Sequence, residues 1–144
     1  MPSAAASNLI ELLVLITWTC LIAPVHKHGL FAQIFPSQEV LSDILSAAPL
    51  TFCPGLFNAI LAARPPPLSF FLNLPSDSLG RWGIYALVLE KTDNVPLIYI
   101  GSGTEAKRGV RARWSNYDRN HNVPLYVRRA LDDGYIIVHK GLLL

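Results

Sequence analysis

Two β-prone apolar runs near the middle of the chain, WGIYALVLE and PLIYIG, are separated by the turn-rich KTDNVP, and this pairing leaves few folds open. In a strand, alternate side chains share a face. Tyr85, Leu87 and Leu89 therefore point one way, and Ile84, Ala86 and Val88 the other. In the second run, Tyr99 opposes Ile98 and Ile100. Register decides whether the two tyrosines meet, because a slip of one residue moves one of them to the far face. We expect an even register, with paired residue numbers summing to an even value and Tyr85 and Tyr99 on one face.

After Gly101 the pattern becomes helical. SGTEAKRGVRARWSNYD offers Ser102 and Thr104 as caps for a helix reaching about Asp118. NVPLYVRRALDDG reads as a short helix opened by Asn122 and Pro124 and closed by Gly134. YIIVHKGLLL reads as a third strand. The order β–β–α–α–β predicts an α+β fold, a small antiparallel sheet flanked by helices.

The preceding half is different. Residues 1–63 read as an apolar, mostly helical extension. Asn8 is placed to cap a helix to about Ala23, and Ser37 to cap SQEVLSDILSA, with Val40, Leu41, Ile44 and Leu45 on its apolar face. Thr51 to Arg64 offers a third helix, with Pro54 near its first turn. Residues 64–80 then form a proline-rich linker in which Phe70, Phe71 and Leu72 are expected to pack on a neighbour. Residues 81–144 make the C-terminal domain.

LLVLITWTCLIAPV, from Leu12 to Val25, is shorter than the roughly 20 apolar residues that a bilayer span needs. No Lys or Arg precedes it, so the basic start of a signal peptide is missing. The reading is a buried or partner-bound helix, with residues 9–25 as the contact for a protein or, alternatively, a membrane surface. Cys20 and Cys53 lie far apart without a CxxC pattern and read as buried free thiols in a reducing compartment, nucleus or cytoplasm. His26 and His28 have no third ligand beside them and read as a solvated pair.

Charge is uneven. Ten of the 12 Lys and Arg residues lie in 81–144, which carries +4, while residues 1–80 carry −2. A basic C-terminal half suits an anionic partner such as nucleic acid. Arg113 and Tyr117 are four apart on the predicted helix, hence on one of its faces. A hairpin bearing two tyrosines and a helix offering Arg and Tyr can converge on a spot the size of one phosphate.

The complete tripeptides Gly83-Ile84-Tyr85 and Tyr99-Ile100-Gly101, followed by a basic helix with Arg113 and Tyr117, resemble the GIY-YIG nuclease superfamily over about residues 81–144. The resemblance implies metal-assisted phosphodiester hydrolysis of DNA by an endonuclease. Tyr85 and Tyr99 would orient or activate water, Arg113 would hold the scissile phosphate, and Tyr117 would be the base or its helper. Gly83 and Gly101 are the motif glycines. Arg108 and Arg111 are rivals for the Arg113 role, because GSGTEAKRGV reads as a small insertion. Lys107, Arg108, Arg111, Arg113 and Arg119 would grip nucleic acid. His139 is a candidate auxiliary group or simply a half-buried strand residue, while His121 reads as a loop residue and Trp82 and Trp114 as core.

The same resemblance implies Mg2+, held in the family by a glutamate on a helix after the third strand. No such ligand is identified in this sequence, and Asp118, Asp132 and Asp133 do not match its place. The reading is therefore a truncated domain, or one that keeps the fold without cleavage and serves as a nucleic-acid-binding or protein-interaction module. The closing GLLL is expected to leave an apolar edge.

Overall fold

The computed structural model describes residues 8–48, 50–77 and 80–144. Residues 1–7 of the expected extension and Ser78 and Leu79 of the expected linker lie outside them. The chain forms two compact units, Met1–Leu50 and Thr51–Leu144.

The first unit holds α1 (Leu9–Ile22), α2 (Leu30–Ile34) and α3 (Gln38–Ala47). Both expected caps form: Asn8 Oδ1 accepts from the Glu11 N–H at 3.0 Å, and Ser37 Oγ from the Val40 N–H at 3.3 Å. Leu12, Val14 and Leu41 are buried, whereas Cys20, expected to be buried, is exposed. Among the described residues no helix is long and apolar enough to cross a membrane.

The second unit holds α4 (Leu56–Leu61), α5 (Leu68–Leu72), β1 (Gly83–Glu90), β2 (Leu97–Gly103), α6 (Val110–Asp118), α7 (Leu125–Asp132) and β3 (Ile136–Leu142). The architecture is α+β, with a three-stranded antiparallel sheet in the order β2-β1-β3. Tyr85 pairs with Gly101 and Leu87 with Tyr99, an even register that puts both tyrosines on one face. β1 is the central strand, which explains why Tyr85 through Leu89 are all buried. On β3 a bulge falls at Val138: Val88 pairs with His139 but Leu89 with Ile137.

Each sheet face carries its own core. Tyr85, Leu87 and Leu89 pack with Val110, Trp114 and Tyr117 of α6 and with Val127 and Ala130 of α7. The other face packs Ala86 with Cys53, Leu74 and Leu143, backed by Leu56, Phe70 and Phe71. Residues 51–77 thus belong to the sheet-bearing unit. Phe70 and Phe71 do pack back, edge to face at 5.3 Å, but the segment also makes the short helix α5 after Pro67. The GLLL end is packed rather than exposed. Leu143 is buried, the Ile84 N–H donates to the Leu144 carbonyl at 2.9 Å, and the Leu142 N–H donates to that of Pro75 at 2.7 Å.

The hairpin tip is anchored as well. Tyr135 Oη donates to the Val95 carbonyl at 3.1 Å, and Lys91 lies over the Tyr135 ring and pairs with Asp133. These contacts hold the β1–β2 hairpin against the α7–β3 junction, and with it the tyrosines on its strands.

Candidate functional site

Tyr85 projects from the middle strand across Gly101 of β2. A Cβ at Gly101 would lie 2.6 Å from Tyr85 Oη and 2.9 Å from Tyr99 Cε1. Glycine is required there because two aromatic rings converge over its backbone. The motif glycine is thus a space into which both tyrosines lean. Gly103, two residues on, does the same for α6, whose first residue Val110 stacks directly on it.

α6 supplies the rest. It begins later than expected, at Val110, and neither Ser102 nor Thr104 caps it: Ser102 lies in β2, and Gly109 occupies the cap position. The intervening loop is closed by Glu105, whose carboxylate accepts from the Lys107 and Arg108 N–H groups at 3.2 and 2.6 Å. Residues 113 and 117 then share a helix face, as their spacing demands. Tyr117 Oη and Tyr85 Oη are 2.7 Å apart, a buried hydrogen bond between phenols. Trp114 and Tyr117 both meet the Tyr85 ring edge to face, at 6.2 and 6.1 Å. Trp114 is core, as expected, and its indole N–H is buried without a partner.

The half-buried Arg113 guanidinium lies over the Tyr117 ring at 5.8 Å and donates through Nη1 to the Asn122 carbonyl at 3.4 Å. Partial burial pulls its pKa down, but Tyr85, and after it Tyr117, more than offset this and raise it. Arg113 is a permanent cation with donors to spare. Its rivals stand apart from the phenols. Arg108 is exposed and ion-paired with Glu105 at 3.8 Å, and Arg111 is exposed.

Tyr117 lies where its neutral phenol is favoured. Burial, then the hydrogen bond to Tyr85 and the charges of Tyr85 and Tyr99, push its pKa far up, and Arg113 offsets only part of this. In its bond to Tyr85 either hydroxyl can be the donor.

Tyr85, Tyr99, Arg113 and Tyr117 are therefore brought together; other expected residues are not. His139 pairs with Val88 and shares the face of Ala86, opposite the tyrosines, where its Nε2 lies 2.8 Å from the Leu74 carbonyl oxygen. It is a structural residue of the other face. Trp82, expected in the core, is 65% exposed and donates through Nε1 to the Glu105 carbonyl at 3.1 Å. Lys107 and Arg119 are exposed, and Arg119 turns back to Ser115 Oγ at 2.7 Å. Gly83 approaches the Leu144 carbonyl closely, a β1–C-terminus contact rather than a site contact.

A hard divalent ion needs oxygen ligands, carboxylates above all. The acids near this face are committed elsewhere. Asp118 pairs with Lys140 of β3, on the far side of β1 from Tyr99, and Asp133 pairs with Lys91 at 3.3 Å. Among the described residues no group of three His, Cys, Asp or Glu side chains could hold a metal ion. Phenols and one guanidinium do not by themselves fit Mg2+.

One residue of this face escapes local sequence patterns. Tyr126, at the start of α7, stacks on Tyr99 with ring centroids 6.1 Å apart and planes 21° from parallel. Its single sequence clue is an aromatic two residues after Pro124, where an exposed helix start is expected. Comparison with family models, with curated proteins and with solved structures gives no match.

Proposed function

We propose that Thr51–Leu144 is a GIY-YIG-type nuclease domain that receives the phosphodiester backbone of DNA on its tyrosine face, with Arg113 as the phosphate contact. The observation that carries this reading is the convergence of both signature tripeptides on one spot. Tyr85 and Tyr99 meet over Gly101, and Tyr85 is hydrogen-bonded at 2.7 Å to Tyr117, one helical turn from Arg113. Arg113 donates to the Asn122 carbonyl and interacts with the phenols of Tyr85 and Tyr117, and its guanidinium has five N–H groups from which to serve phosphate oxygens as well. Its positive charge lies where negative charge would grow as a phosphodiester is attacked. In the bonded Tyr85–Tyr117 pair, the hydroxyl that accepts keeps its own proton and would donate it to those oxygens or to a water.

A second reading, binding without cleavage, is favoured by two observations: among the described residues no group of three His, Cys, Asp or Glu side chains could hold a metal ion, and the surroundings of Tyr117 favour its neutral form. Binding and cleavage are separated by measuring both on the full chain. Affinity for DNA is expected to fall steeply as salt rises. Arg113→Ala is expected to weaken it about tenfold and to lower the salt slope by about one. Plasmid nicking in Mg2+ that disappears in Arg113→Ala would identify an endonuclease. Intact plasmid across several divalent ions, with binding retained, would identify the binding module. DNA binding that is absent or indifferent to salt would sink both readings.

A further inference from the structure

We infer that Tyr126, stacked on Tyr99, is a platform for an unpaired nucleobase beside the phosphate-binding arginine, so that the domain prefers DNA carrying a single-stranded or extruded nucleotide over an intact duplex. The inference rests on the nucleic-acid reading and adds a substrate class to it.

Three observations converge. First, the stack places one ring in the site and one ring outside it. Tyr99 lies against Gly101 and influences Tyr117, while Tyr126 is 49% exposed. A flat aromatic face held by a second ring beneath it is what a base stacks on, and such stacking is sequence-tolerant because every base has a π-face. Second, the platform is tied to the cation. Arg113 donates to the carbonyl of Asn122, four residues before Tyr126, so the loop that starts α7 brings both residues to one place. Third, the outer side of the platform is charged to suit a nucleic acid. Arg129, one turn on from Tyr126 and on the same helix face, is exposed. A nucleotide would lay its phosphate on Arg113 and its base on Tyr126. A base paired inside a duplex presents only its edge, so stacking demands that it be unpaired.

The stack could instead serve only to seat α7 on β2, and the test separates the two roles. Full-chain protein would be titrated with a short single-stranded DNA containing 2-aminopurine and with its duplex, using Tyr126→Leu, Tyr126→Trp and Arg113→Ala. Leucine keeps an apolar contact with Tyr99 but has no π-face. Tyr126→Leu is expected to bind the single strand about tenfold more weakly, to leave duplex affinity within about twofold, and to lose the quenching of 2-aminopurine. Tyr126→Trp is expected to keep or increase single-strand affinity. Unchanged single-strand affinity and quenching in Tyr126→Leu would overturn the inference, as would an equal loss on both DNAs or weaker single-strand binding by Tyr126→Trp. Either result would leave the phosphate reading standing if Arg113→Ala still weakens binding. No salt-dependent binding of either DNA by the unaltered protein would overturn both.

Discussion

Tyr85 and Ala86 are neighbours on β1 and meet different surroundings. Ala86 faces Cys53, Leu74 and Leu143, a closed apolar core with Phe70 and Phe71 behind it. Tyr85 faces an equally buried layer, but one threaded with phenol oxygens and edged by a half-buried guanidinium. Each face relies on a glycine where another group comes close: Gly101 beneath Tyr85 and Tyr99, and Gly141 beneath Leu74. Even the histidine on the dry side is absorbed, its ring nitrogen at the Leu74 carbonyl. Burial alone therefore does not mark a site. What distinguishes the tyrosine face is buried polar atoms that bond to one another rather than to backbone, beside a cation with donors left over.

The largest test of that contrast is a pair of alanines. Gly101→Ala and Gly141→Ala both force a methyl group into occupied space, and each is expected to cost about 1–3 kcal/mol of stability in urea denaturation. Only Gly101→Ala should also reduce DNA affinity at a temperature where both variants remain folded. Equal losses of binding would mean that the two faces are not separable. A smaller effect is expected from the phenol pair. Tyr85→Phe or Tyr117→Phe leaves the other hydroxyl buried and unpaired, at about 1–2 kcal/mol each. The double variant should cost less than the sum of the two, and strict additivity would deny the hydrogen bond.

The smallest effect is in pH. Tyr117 is raised above its ordinary value of 10.0, so the fold favours the neutral phenol. An unfolded chain releases that proton near pH 10 and the folded chain does not, so stability from this group is full below about pH 10 and is lost as pH rises beyond it. Between about pH 9 and pH 11 the unaltered protein should lose more stability than Tyr117→Phe. Parallel curves would show that Tyr117 is not protected from ionisation.

Much of this was legible in local pattern. Two adjacent β-prone runs were enough to expect a hairpin, its even register was expected as the one that puts Tyr85 and Tyr99 on one face, and helical spacing was enough to put Arg113 and Tyr117 together. Asn8 and Ser37 announced their helices because a cap is a matter of three or four residues. The failures have physical causes of the same kind. Trp82 looked like core by type, yet it lies just before β1, where its indole finds a loop carbonyl. Helix α6 was placed too early because Ser102 lies in β2 and Glu105 takes the Lys107 N–H that Thr104 was expected to serve. The turn of α5 was hidden by three prolines that favour extension, although the last of them precedes a helix well. Tyr126 left only one local clue, since its partner is 27 residues away and belongs to a different element.

His139, found as the half-buried strand residue that was one of its two expected readings, owes its side of the sheet to a feature with wider reach. The bulge at Val138 puts the two ends of β3 out of phase. Ile137 and Leu142, an odd number of residues apart, both reach the tyrosine-side core, which a regular strand would forbid. The strand therefore works like a sentence with one silent syllable. Removing Val138 would put Ile137 and Leu142 an even number of residues apart, so a regular strand would still present both to the tyrosine side. The bulge thus absorbs one residue without changing what lies on either side of it, whereas a residue lost from β3 between His139 and Leu142 would leave one end facing the wrong way.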